Sequence, residues 1–442
     1  MELIKKMMKF INESPCNYWA VENASALLAD NGYRELSERD PWELQDGGKY
    51  YVKRNSSSLI AFRYRKNRQG FLLVATHSDS PCFKVKENPE VSVGEQYTKL
   101  LVEPYGGMIL APWLDRPLSL AGRVFVKEKE TITENLVRFE EDMLLIPNVA
   151  VHLNKEINNG YVYKKHVDMQ PLWGSGNVKG ALNKVLAEKL GCSEDDILEK
   201  DLFVYNPMKC STWGYENAFL SGPRLDDLEC AYLGLSAFVE SEGREADNKI
   251  PVFCLFDNEE VGSGTRQGAE SDFLKDVLLR ILLADGGNRE DYCRAVASSF
   301  LVSADNAHGV HPNAPELSDG NNACSLNGGV VIKYQASQRY SSDGFSGSVF
   351  TTLCEKAGVK YQRYANRSDM PGGSTLGNIS ATKVAIPTVD IGLAQLAMHS
   401  PYETAGQRDV AQMHKALRSF YGMHLEQTKE KTWTVEVNHN EK

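Results

Sequence analysis

The sequence holds no apolar run approaching the ~20 residues that would span a bilayer, so a membrane role has no support. A cysteine framework is missing as well: the nine cysteines are odd in number and scattered without a CxxC pair, which argues against disulfides and against a cysteine-based zinc site. Several, such as Cys254 in an apolar run, read as small core residues. No GxxxxGK[ST] loop is present, so phosphate is not an expected ligand. Positive charge is not in excess either. With a formal net charge of -10 and no basic stripe or aromatic-basic interleaving, nucleic acid is not expected as a partner. The opening MELIKKMMKFINESP lacks an uninterrupted apolar segment followed by a small-residue cleavage site. It does not read as a signal peptide, and a cytoplasmic location is expected.

What is present has the composition of a folded protein. Hydrophobic content of 42% and charged content of 24% lie near the averages for globular chains, and 442 residues suffice for two domains or for one large domain carrying an insertion. Leu3, Ile4, Met7, Met8, Phe10 and Ile11, then Trp19, Val21, Ala24, Leu27 and Leu28, fall at helical spacing and predict two helices separated near Ser14 and Pro15. KYYVKR, SLIAFRY and GFLLVATHS read as strands, the third so continuously apolar that it is expected to be covered on both faces.

From residue 89 to 221 short β-like runs, VSVGEQYTKLLVEPYGG, RPLSLAGRVFVKE and DMLLIPNVAVHL, are broken by Gly, Pro and Asn, with one helical stretch, NVKGALNKVLAEKLG. This predicts a β-rich insertion at 89–221 between the two parts, 1–88 and 222–442, of an α/β domain. In the second part LDDLECAYLGLSAFVESE, KIPVFCLF, SDFLKDVLLRILLADG and FLVSADNA alternate as helix and strand, the pattern of an α/β sheet. SGSVFTTLCEKAG, TKVAIPTVDIG and VAQMHKALRSFYGMHLEQTKE continue as helix, strand and C-terminal helix, and TVEVNHNEK is expected as a frayed tail.

Polar residues that carry chemistry gather where these strands end. FLLVATHSDSP ends in His77 and Asp79, VFCLFDNEE in Glu259 and Glu260, and FLVSADNAH in Asp305, while TVDIGLAQLAMHS brings His399 shortly after a fourth strand. Open α/β sheets build their sites at the carboxyl ends of strands. The adjacent pair Glu259 and Glu260 is either a solvated turn or a pair held by positive charge. Asp226, in SGPRLDDLECAY, is either an ordinary helix-start carboxylate or one that bridges two cations. Histidine and carboxylate without cysteine suit zinc, manganese or cobalt, and a cation lowers the pKa of bound water from about 15.7 toward ~7. A glutamate that is not a ligand could then move the water proton, and Asp79 could fix the His77 imidazole.

The segments HSDSP at 77–81, RLDDL at 224–228, DNEEVGS at 257–263, SADNAHGVHPN at 303–313 and QLAMHS at 395–400 resemble the aspartyl aminopeptidase family, the M18 metallopeptidases, over essentially the whole chain. The resemblance implies a three-layer α/β/α peptidase domain interrupted by a β-rich dimerisation domain, assembled into tetrahedral dodecamers. It implies two zinc ions: His77 and Asp305 on one, Glu260 and His399 on the other, Asp226 between them. Glu259 would be the general base and Asp79 the residue that orients His77. By the same resemblance Lys333 would receive an acidic substrate side chain, and His152 would reach a neighbouring subunit's site. The glycines of SDMPGGSTLG, Gly372 and Gly373, are read as a substrate-contacting loop. The chain departs from the family pattern at Asp227, commonly Asn, and at Gly372, frequently Cys.

The expected function is therefore removal of an N-terminal residue, preferentially Asp or Glu, from peptides. The alternatives are a related metallo-aminopeptidase of neutral or broad specificity and a non-catalytic metal-binding scaffold of the same fold. His308 and His311 read as loop-structuring or outer residues of the site. His166, His414, His424 and His439 read as surface or capping residues.

Overall fold

A nine-stranded mixed sheet drawn from residues 34–392 forms the centre of the computed structural model, which describes residues 1–246 and 248–437. Phe71–His77 lies in the middle between Ile250–Phe256 and Phe300–Ala304, and Thr388–Gly392 follows outside the latter. These four strands run parallel. Ser58–Arg63 joins Ile250–Phe256 antiparallel on one side, and Val330–Tyr334 joins Thr388–Gly392 antiparallel on the other.

Phe71–His77 is buried at every position, as its unbroken apolar sequence predicts for a strand covered on both faces. Alternate side chains serve different layers. Leu72 and Val74 pack with Ala20, Leu228 and Leu417 from helices on one face, whereas Phe71, Leu73 and Ala75 pack with Phe273, Val277 and Ile281 on the other. The result is three layers, helix on sheet on helix. The helix Leu225–Glu240 comes close: a Cβ placed on Gly234 would stand 3.0 Å from the Phe253 ring and 3.3 Å from Val74. The missing side chain lets that helix lie near enough to aim its first residues at the strand ends.

A second sheet of seven strands is built from segments within residues 82–205, with its own core around Trp113, Leu120, Val124 and Leu202. Helix Ala181–Leu190 packs Leu182 and Leu186 into that core. A smaller five-stranded sheet joins Ser211–Trp213, Phe219–Gly222, Glu403–Gly406, Ala394–Leu396 and Ala307–His308 beside the strand ends.

Three local expectations are corrected. DMLLIPNVAVHL pairs only through Leu144–Leu145 and a bridge from Ile146 to Leu114, and Val149, Val151 and Leu153 are exposed on a loop, because their alternation meets no partner strand among the described residues. The C-terminal helix is Asp409–Tyr421, and after Gly422 the chain turns into a hairpin of Met423–Lys429 with Thr432–Val437. Part of the expected tail is thus a strand, while residues 438–442, with His439, lie outside the described residues. His414 is buried between helices, its Nε2 3.3 Å from Ser236 Oγ. Among the described residues no helix is long and apolar enough to cross a membrane.

Candidate active site

The parallel register brings the strand ends side by side. His77 closes its strand directly opposite Phe256, so the segment Asp257–Glu260 leaves the sheet next to it. Asp305 follows Ala304 on the other neighbour, and His399 lies beyond Thr388–Gly392 and Ala394–Leu396. Asp226 enters from the first turn of Leu225–Glu240 and joins Asp227 through a cis peptide.

These side chains converge. Asp226 Oδ1 lies 3.4 Å from His77 Nε2, and Asp226 Oδ2 lies 3.5 Å from His399 Nε2. Asp305 Oδ1 is 3.9 Å from His77 Nε2, and Glu260 Oε2 is 3.4 Å from His399 Nε2. Two donor groups share Asp226, namely His77 with Asp226, Asp227 and Asp305, and Asp226 with Glu260 and His399. Within each, the ligand atoms lie within 4.8 Å of one another. A further group holds His77, Glu259 and Glu260.

The electrostatics ask for cations. Asp226 Oδ1, Asp227 Oδ1 and Glu260 Oε1 are buried with no hydrogen-bond donor, and each such acceptor costs about 1–3 kcal/mol if nothing satisfies it. Burial, and then the neighbouring Asp226 charge, pushes the Glu260 carboxyl well above its usual range. Asp227 is raised likewise by burial, against His77 and with Asp305 and Asp226. Burial acts on Asp226 too, but hydrogen bonds and charge from His399 and His77 hold it below the usual range. Oxygen and imidazole donors of this kind, unpaired and close, fit divalent ions.

Asp79 does more than face His77. The His77 Nδ1 atom is 3.0 Å from the Asp79 backbone oxygen and 3.4 Å from its carboxylate Oδ1. The carboxylate itself accepts the backbone N–H of Glu259 at 3.2 Å on Oδ1 and that of Glu260 at 3.1 Å on Oδ2. One aspartate therefore ties the histidine to the acidic pair.

Sequence reasoning missed a second carboxylate of this kind. Glu403, 1% exposed, accepts the N–H of Asp226 on Oε2 at 3.1 Å and that of His399 on Oε1 at 2.8 Å. It sits at the start of a short strand in PYETAG, where its neighbours give no hint of burial. Asn306, beside Asp305, is likewise buried and donates to Glu229 and Gln395.

Lys333, which a strand position alone suggests is solvated, is 1% exposed; its Nζ donates to the Asp305 and Asn306 carbonyls at 3.0 and 3.2 Å. It lines a cleft of ≈ 280 Å³ together with His77, Asp226, Glu259, Glu260, Asp305 and His399. Gly373 and His308 also line this cleft, whereas Gly372 does not and packs against Asn366. His152 is exposed on the 147–164 loop and is not among the cleft residues of its own chain.

Histidines and carboxylates gathered at the strand ends of a helix-covered mixed sheet define a metallohydrolase. The chain belongs to the M18 family of zinc metallo-aminopeptidases: the family described as Aminopeptidase I zinc metalloprotease (M18) matches residues 10–421. It is 44% identical over 432 residues to the Probable M18 family aminopeptidase 2 of Clostridium acetobutylicum, covering 96% of this chain and 99% of that one. Among solved structures it resembles the chain in "Cryo-EM structure of the Ape4 and Nbr1 complex", with TM-score 0.90, 32% identity and coverage of 95% and 85%. It also resembles "Structure of S. cerevesiae mApe1 dodecamer", with TM-score 0.83, 27% identity and coverage of 94% and 97%.

Proposed function

We propose that this hydrolase is a dinuclear aminopeptidase that releases the N-terminal residue of peptides, preferentially Asp or Glu. The observation that carries the reading is the division of Asp226, one oxygen toward His77 and the other toward His399. His77 and Asp305 would hold one ion, Glu260 and His399 the other, with Asp226 shared between them; zinc is the expected metal, with manganese and cobalt as alternatives. When bound, such ions acidify an attacking water and polarise the scissile carbonyl.

Glu259 moves the proton. It shares a donor group with His77 and Glu260 but belongs to neither group that contains Asp226, which supports a carboxylate left free of metal. It takes a proton from the attacking water and delivers it to the amine nitrogen. The water oxygen stays on the released residue, and the C–N bond breaks. Burial pushes the Glu259 carboxyl up to about 8, with Asp305, Asp79 and Asp226 adding and His77 opposing; bound cations act in the opposite direction.

Lys333 supports the acidic preference. It is the one lysine or arginine among the described residues lining the cleft, and an ammonium has three donors, of which two are used by backbone carbonyls. The Asp305 carboxylate Oδ2 lies 3.8 Å from the same nitrogen, beyond hydrogen-bond distance, so the third donor can turn to a substrate carboxylate. On a panel of aminoacyl chromogenic substrates the wild type is expected to prefer Asp and Glu. Lys333→Met should narrow that preference over Ala by roughly 10–100-fold, the worth of one hydrogen bond to a charged group. A wild type that favours neutral residues supports the broad-specificity alternative instead.

Glu403 should govern metal retention. Glu403→Gln offers one acceptor oxygen where two backbone N–H groups are now served, so either Asp226 or His399 loses its support. Metal affinity is expected to fall about 10–100-fold, measured by competition with a chromophoric chelator; unchanged affinity counts against this role. The yeast dodecamer supports the same assembly here, with exposed Val149, Val151 and Leu153 covered by a neighbour and His152 brought to its site. The reading places the enzyme in the cytoplasm, which suits nine unpaired cysteines.

A further inference from the structure

Tyr105 ends the strand Tyr97–Tyr105 of the second sheet, yet its hydroxyl lies among residues of the first. The Asn258 side chain is oriented by two donors to its Oδ1, Thr265 Oγ1 at 2.8 Å and Gln267 Nε2 at 2.7 Å. Its Nδ2 therefore faces Tyr105 and donates to the phenol oxygen at 2.8 Å. With that lone pair occupied, the phenol proton goes to Asp79 Oδ2, 2.7 Å away. This is the same carboxylate that accepts the N–H groups of Glu259 and Glu260.

The residues after Tyr105 touch the opposite wall as well. Gly106, at φ +75, lies so close that an added Cβ would stand 3.1 Å from Glu260 Cβ, and Ile109 N–H donates to the His399 carbonyl at 3.1 Å. Asn258 and His399 are themselves held at φ 63 and 68, left-handed backbone that persists only where surrounding contacts fix it. The Tyr105 ring is anchored in its own sheet, edge-on to Phe203 with centroids 5.6 Å apart.

We propose that Tyr105 is a positioning residue through which the second sheet fixes the Asn258–Glu260 loop, so that the catalytic arrangement is incomplete without the inserted sheet. The proposal rests on the role of Glu259 given above. It acts through Asp79: the phenol orients the carboxylate, the carboxylate holds the two backbone N–H groups, and these set where the Glu259 and Glu260 side chains point.

Tyr105→Phe keeps the ring against Phe203 and removes only the hydroxyl. Two readouts on the metal-loaded, full-length protein test it, with metal content measured alongside. Steady-state kinetics should show kcat falling by roughly 10–100-fold, the range for one charge-assisted hydrogen bond, with KM held within about twofold, the signature of lost transition-state alignment rather than lost binding. Hydrogen exchange should show the amides of 257–262 exchanging about 10-fold faster while those of Ile250–Phe256 are unchanged. Unchanged exchange in the loop overturns the proposal, and so does faster exchange with kcat at the wild-type value. The exchange readout needs no turnover, so it judges Tyr105 even if the wild type releases no N-terminal residue, which is the outcome that overturns the aminopeptidase reading instead.

Discussion

Glu259→Gln is expected to lower kcat by ~10²–10⁴-fold, the usual contribution of general acid–base catalysis, while the metal content per chain stays that of the wild type. The amide has the shape of the carboxylate and keeps its place, because the Glu259 backbone N–H remains held by Asp79. What it lacks is a basic oxygen for the water proton. Elemental analysis of the same preparation separates this effect from lost metal. Near-normal turnover with metals bound would remove Glu259 from the mechanism and leave the proton transfer without an assigned residue.

Asp226→Asn should act in the opposite order, losing metal first. An amide presents one oxygen and one NH₂ group, so only one of the two positions now facing His77 and His399 could still receive a lone pair. Loss of a first ligand should exceed the ~10–100-fold that outer partners of metal ligands contribute to affinity. After dialysis the variant should retain at most one ion per chain and show turnover no higher than Glu259→Gln. Two ions retained at wild-type affinity would show that Asp226 does not bridge. Together the two variants separate holding the ions from using them.

The parts of this site that the sequence reveals are those carried by strand ends. FLLVATH, VFCLF and FLVSA are largely apolar because helices cover both faces of the sheet, so the polar residue that ends or follows each run stands out: His77, Asp257 with the pair after it, and Asp305; His399 follows the fourth strand, TVDIG, which itself buries Asp390. The parts that stay hidden are held by tertiary contact alone. Glu403 looks like any loop glutamate until its two oxygens are seen beneath Asp226 and His399. Tyr105 ends an ordinary strand whose sequence gives no sign that the next sheet begins at its hydroxyl. Lys333 follows three apolar residues near the end of a short strand, where a lone lysine reads as solvated, and the close carbonyls of Asp305 and Asn306 with the Asp305 carboxylate explain its burial. PNVAVHL misleads in the other direction, since its alternation reads as a strand while Val149, Val151 and Leu153 lie exposed on a loop.

The two-ion site is the central claim, and stepwise zinc addition to metal-free protein tests it most directly, with release of N-terminal Asp from a short peptide followed at each step. Activity absent without metal, rising to its maximum at two equivalents per chain, is the predicted result. Full turnover in the metal-free protein, or a maximum reached at one equivalent with no further binding, would contradict it.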